Sequence, residues 1–198
     1  MSDNILKIIP LNPESSTTLA KPDLIKYLKD IKLINEKKIV TSKEYYNQGD
    51  QFLSLIKFHG FHTVIELGKV GNDLKEINRG NSYNYCTIEV EFKDSGIHFL
   101  GGGNTQSPFC INCNYCIEDW MSLMSEWYDN QDTYVWKCPD CSNTYKPWEF
   151  DWKQTNGFGN KVIKIWGVYE NEAIPSDILL DGLKDISNID WKYFYFHF

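Results

Sequence analysis

The feature that most constrains this chain is a pair of Cys-x-x-Cys turns. Five of its six cysteines fall within 32 positions, as Cys110-Ile111-Asn112-Cys113-Asn114-Tyr115-Cys116 and then Cys138-Pro139-Asp140-Cys141. Such a turn aims two sulfurs at one point while its backbone N–H groups hydrogen-bond them, and two turns face to face supply the tetrahedral sulfur shell that Zn2+ accepts. The 24 residues between Cys113 and Cys138 exceed the roughly 15–20 of compact zinc modules, so the gap has to carry its own secondary structure. Ile117, Trp120, Met121, Met124 and Trp127 follow helical spacing, which predicts a helix leaving the first turn, and Tyr134 to Trp136 reads as a strand entering the second.

The expected metal ligands are Cys110, Cys113, Cys138 and Cys141. Cys113 with Cys116 is the other legal first pair; we favour Cys110 because Cys116 lies directly against the predicted helix, as a buried bystander. Four thiolates leave no position open to water, so the expected role of the metal is structural and not catalytic. An iron–sulfur signature would separate Cys116 from the next cysteine by three residues, not the 21 found here.

Charge sharpens the reading. The protein has 20 basic and 27 acidic side chains, a net charge of −7, and from Cys110 to Trp152 only 2 basic residues stand against 8 acidic ones. A zinc module that reads nucleic acid needs the opposite sign. Trp120, Trp127, Tyr128, Tyr134, Trp136, Tyr145, Trp148 and Trp152 are interleaved with these carboxylates. They supply a small core around the metal and, with Glu118, Asp119, Glu126, Asp129 and Asp132, an acidic and aromatic docking face for a basic protein partner. The basic stripe on offer, Lys26, Lys29, Lys32, Lys37 and Lys38, is distant in sequence from the cysteines. A nucleic-acid-associated zinc ribbon is therefore the alternative function, and an enzyme with an unrecognised pocket the third.

Ile5 to Ile9, a helix opening at Pro22-Asp23, and Lys37 to Thr41 form one strand–helix–strand unit. Lys161 to Tyr169, a helix opening at Pro175-Ser176-Asp177 with Gly182 in its middle, and Trp191 to Phe198 form another. Tyr45 to Gly103 reads as strands and turns, with clear strands at Thr87 to Phe92 and Ile97 to Leu100, and Gly80-Asn81 as a turn. The expected fold is α+β, with two βαβ-like halves in a ferredoxin-like arrangement, an inserted β segment and a zinc-ribbon-like knuckle. We expect a single domain over 1–198 with 104–152 as an inserted zinc-binding subdomain.

Other motifs carry less. Gly101 to Ser107 lacks the Lys-Ser/Thr of a phosphate loop and reads as a flexible approach to the knuckle. His59, His62, His98 and His197 read as core or surface histidines, and Cys86 as a buried small hydrophobe. No nucleophile–base constellation can be named, so no catalytic residue is expected. No run approaches the ~18 apolar residues of a membrane span, and the first residues lack signal-peptide character, so the expected location is cytoplasmic, where cysteines stay reduced.

In this order CINC, CPDC, IWGVYENEAIPSDILLDGL and WKYFYFHF resemble a family of small, uncharacterised bacterial CxxC…CxxC, zinc-ribbon-like α+β proteins. The resemblance is best over Cys110 to Cys141 and the last forty residues, with Tyr45 to Asp94 additional to its pattern. It implies a zinc-holding fold and no established activity. In size, acidity and lack of catalytic motifs the chain is also similar to immunity proteins that neutralise bacterial toxins, which implies a basic toxin as partner. The leading expectation is a non-enzymatic protein-binding protein with structural Zn2+, and neither nucleic acid nor membrane as partner.

Overall fold

A computed structural model describes residues 4–15, 18–59, 67–68, 72–73, 77 and 86–198. His62 and the Gly80-Asn81 turn lie outside the described residues. The N-terminal half contains β1 (Asn4–Pro10), α1 (Lys21–Asp30), β2 (Ile34–Val40), β3 (Lys43–Gln48), α2 (Phe52–Leu55), β4 (Ile56–Phe58), β5 (Thr87–Phe92) and β6 (His98–Phe99). There follow α3 (Trp120–Asp129), β7 (Trp136–Lys137), β8 (Thr144–Tyr145), β9 (Phe158–Gly159), β10 (Lys161–Trp166), β11 (Ala173–Pro175), α4 (Asp177–Ser187) and β12 (Trp191–His197).

The fold is α+β, built on a six-stranded sheet in the order β12-β1-β10-β5-β3-β2, with every neighbouring pair antiparallel. It follows that β10 and β12 run the same way with β1 between them, while β1 and β2 run the same way with three strands between them. Both strand–helix–strand units exist, but neither joins adjacent strands. The Tyr45 to Asp94 stretch, expected as an insertion, supplies β5 and most of β3 to the interior of the sheet. The strand expected at Ile97 to Leu100 shortens to β6, and the helical turn α2 falls where only strands and turns were expected.

The helices α1 and α4 lie on one face. Leu24 and Leu28 of α1 and Leu179 and Leu183 of α4 pack with Leu6, Ile8, Ile88, Ile163 and Ile165 in the main core. Each such burial contributes roughly 1.5–3 kcal/mol. The N-terminus of α4 is capped by Ser176, whose Oγ accepts the Leu179 N–H (3.3 Å), and the helix stops at Asn188 in the left-handed region (φ 56°). Gly182 has a packing reason: a Cβ there would collide with the Tyr27 hydroxyl of α1.

The opposite face packs Ile9, Val162 and Phe194 against Leu100. It also holds charge. Lys7, Lys164 and Glu89 are cross-strand neighbours, and Lys164 bridges Glu89 (3.3 Å) and Glu91 (3.0 Å). Lys7 donates to the Leu100 carbonyl (3.0 Å) and lies over the Phe196 ring. The Gly101 to Asn104 stretch is a packed strap along β12, not the flexible approach expected. Gly103 N–H and the Asn104 side chain bond to the β12 backbone, and a Cβ on Gly102 would strike the His197 carbonyl at 2.6 Å. Among the described residues no helix is long and apolar enough to cross a membrane.

Candidate metal centre

Beyond the strap lies a second, aromatic core in which Trp127, Trp148 and Trp152 are buried with Leu123, Met124, Phe150 and Phe158. Edge-to-face contacts knit it together, Trp127 with Phe158 at 5.5 Å and Trp136 with Phe150 at 5.2 Å between ring centroids. Trp120, Tyr134, Trp136 and Tyr145 are partly buried against it, whereas Tyr128 is exposed. The aromatic block thus divides between core and surface.

Two cysteine turns of matching geometry sit on this core. In the first, Cys110 N–H donates to the Tyr115 carbonyl (2.9 Å) and Asn114 N–H to the Cys110 carbonyl (2.9 Å). In the second, Cys138 N–H donates to the Asn143 carbonyl (2.8 Å) and Ser142 N–H to the Cys138 carbonyl (3.0 Å). The residue after the second cysteine is left-handed in both, Asn114 at φ 62° and Ser142 at φ 62°. The β7–β8 hairpin carries the second turn, and Phe109, bridged to Cys116 and Asp151, anchors the first.

The sulfurs of Cys110, Cys113, Cys138 and Cys141 all lie within 4.8 Å of one another, with Cys110–Cys141 at 3.7 Å and Cys113–Cys138 at 3.6 Å. A regular tetrahedron with metal–sulfur bonds of about 2.3 Å has sulfur–sulfur edges of about 3.8 Å, whereas a disulfide would bring two sulfurs to about 2.05 Å. The four sulfurs are close enough to hold a metal ion, and they belong to the four cysteines expected as ligands. Cys116 stands outside the cluster, at the isolated bridge to Phe109, but it is half-buried and four residues before the helix, not the buried neighbour of the helix expected. The frame has a conformational reason: pairing Cys113 with Cys116 would put β-branched Ile117 at the left-handed position, where Asn114 is far better suited.

Proton affinities within the cluster diverge. Burial works to raise the Cys110 thiol, but backbone N–H groups of Cys113 and Asn112 and the neighbouring thiols bring it down to about 6. Backbone donation from Asn143 lowers Cys141, while burial first, and then the surrounding sulfurs, push Cys113 up to about 12. A divalent cation among them would favour the thiolate at every position.

Beside the turns runs a groove of about 420 Å³. Glu118, Asp119 and Glu126 line it from the α3 side, Tyr134 and Trp136 from the segment entering the second turn, and Tyr115 and Pro139 from the two turns themselves. Burial, then the charge and hydrogen bond of Glu126, push the Tyr134 hydroxyl up to about 12. Asp129 and Asp132, expected on the same face, do not line the groove.

The remaining candidates disperse. His59 is exposed, His98 lies near the Asp94 carbonyl, and His197 Nδ1 is 2.7 Å from Asn4 Oδ1. Cys86 is buried in the main core, and burial pushes its thiol up, as befits an inert side chain. Of the expected basic stripe, Lys26, Lys29 and Lys37 meet in a separate cleft joined by Lys21, which the sequence reading did not single out, while Lys32 and Lys38 stay outside it. Compared with family models, curated proteins and solved structures, the chain matches none.

Proposed function

We propose that the four cysteines hold one structural Zn2+ and that this zinc organises a non-enzymatic docking site for a basic protein. The observation that carries the reading is the groove beside the metal turns. Its carboxylates Glu118, Asp119 and Glu126 face the aromatic walls Tyr115, Tyr134 and Trp136. Carboxylates with aromatic faces favour ammonium and guanidinium groups, which gain both charge pairing and cation–π attraction. Because Tyr115 belongs to the first turn and Pro139 to the second, an ion joining the turns would also fix the two ends of the groove. Thiolates suit zinc among common cellular cations, and a filled tetrahedral shell supports a structural role.

The concrete version is an immunity protein. Its acidic groove would mimic phosphate and cover the basic active site of a bacterial toxin, in the cytoplasm, with fast and salt-sensitive association. The test is capture of partners from lysate by the wild-type protein, by the Glu118→Gln/Asp119→Asn/Glu126→Gln variant, and by chelator-treated protein. We expect a basic partner that is lost at high salt, in the triple variant and after chelation, and whose toxicity is relieved on co-production. A neutral partner, or capture indifferent to all three treatments, contradicts the proposal.

A further inference from the structure

A second groove, of opposite charge, lies on the helix-bearing face of the sheet between α1 and the β2–β3 hairpin, with a volume of about 570 Å³. Among the described residues, Lys21, Lys26 and Lys29 from α1 and Lys37 from β2 line it against two carboxylates, Asp30 and Glu44. In a chain of net charge −7 this is a local positive excess. Glu44 neutralises part of it, 2.7 Å from Lys37 and 3.9 Å from Lys21, and the hydrogen bond from Lys37 holds its carboxyl below the usual range. Lys26 and Lys29 are exposed and have no ion-pair partner among the described residues.

Its apolar lining is Pro22, Ile25 and Tyr46. Lys21, Ile25 and Lys29 recur every four residues, so they share one face of α1, and the two lysines stand about 12 Å apart along the axis. An extended chain advances roughly 3.3 Å per residue, so side chains at i and i+4 lie about 13 Å apart on the same side, with i+2 midway between them. Single-stranded nucleic acid would need open aromatic faces for its bases. Among the described residues Tyr46 is the one ring lining the groove, and it is only 2% exposed.

We propose that this groove binds an extended acidic segment of a partner protein, with carboxylates at i and i+4 meeting Lys21 and Lys29, an apolar residue at i+2 resting on Ile25, and Lys26, which also lines the groove, adding positive charge beside them. The site shares no lining residue with the metal-side groove, so either can fail without the other.

The test is an NMR titration of the zinc-loaded, isotope-labelled protein with the peptide Ser-Glu-Ser-Leu-Ser-Glu-Ser. The same peptide with Lys for Glu, and a short oligothymidylate, are run in parallel. We expect shifts confined to α1 and the β2–β3 hairpin for the acidic peptide, an affinity that falls with added salt, and at least about a tenfold loss in Lys26→Glu/Lys29→Glu. Lys26→Gln/Lys29→Gln, at two exposed positions, should keep the wild-type melting temperature and lose affinity by a smaller factor. No shifts in peptide excess, shifts that persist unchanged in the Glu variant, or tighter binding of the oligothymidylate would overturn the proposal.

Discussion

Replacing Lys7 with methionine should stabilise the protein below neutral pH and do progressively less as the pH rises. Lys7 is 6% exposed, and its ammonium group has the Leu100 carbonyl at 3.0 Å and the Phe196 ring at 3.4 Å to the centroid. Those contacts do not make up for lost hydration. Burial, and after it the charge of Lys164, lower its pKa from 10.5 to about 7, against the opposing pull of Glu91. At about 1.4 kcal/mol per pH unit, a gap of that size means the folded state gives up on the order of 5 kcal/mol to keep Lys7 charged. Below about pH 7 both folded and unfolded chains carry the proton and the full penalty applies; between 7 and 10.5 the unfolded chain binds more protons, so stability climbs with pH. Methionine keeps the stem and removes the charge, but strands the Leu100 carbonyl at a cost of roughly 1–3 kcal/mol. The net gain should be on the order of 2–4 kcal/mol near pH 6, should fall through zero near pH 9, and should become a small loss by pH 10, where only the cost of the stranded carbonyl remains, as read by urea unfolding in buffered zinc. A variant less stable than wild type near pH 6, or a difference that does not shrink with pH, would refute the reasoning.

Cys116→Ser should keep full metal binding, whereas Cys113→Ser and Cys141→Ser should lose it in a competition titration with a chromophoric chelator. Asn114→Ile forces a β-branched residue into the left-handed region at roughly 1–2 kcal/mol, so metal affinity should fall about tenfold, while Asn114→Gly should be tolerated. Gly182→Ala should lower stability by roughly 1–3 kcal/mol in spite of alanine's better helix propensity, because of the Tyr27 hydroxyl, and Tyr27→Phe should recover part of the loss in thermal melts. Acidification should release the metal as protons compete for the sulfurs, followed by zinc-indicator absorbance, with re-binding on neutralisation.

Much of the site was legible because its signal is local. Two Cys-x-x-Cys turns need only short-range spacing, and even the choice of Cys110 over Cys116 was written in the sequence, in Asn114 against Ile117 as the residue asked to turn left-handed. The periodic helices were legible for the same reason: Leu24 with Leu28 and Leu179 with Leu183 announce one wet and one buried face. What escaped depends on partners far along the chain. Nothing near Tyr45 says that β3 will lie beside β5, because an antiparallel sheet sets its order by long-range pairing. Gly102 and Gly182 read as flexible or weak points until the His197 carbonyl and the Tyr27 hydroxyl come close enough to exclude a Cβ. The two grooves were likewise half visible, since the sequence shows charged residues but not which of them share a wall: Glu126 does and Asp129 does not, and Lys29 does and Lys32 does not.

The most direct test of the central claim is X-ray absorption at the metal edge, with metal content measured on the same purified protein. The account predicts one zinc per chain with four sulfur neighbours at about 2.3 Å, reduced to three or lost altogether in Cys138→Ser. Protein that is folded yet metal-free, or a zinc bound through nitrogen or oxygen in place of these sulfurs, would contradict it.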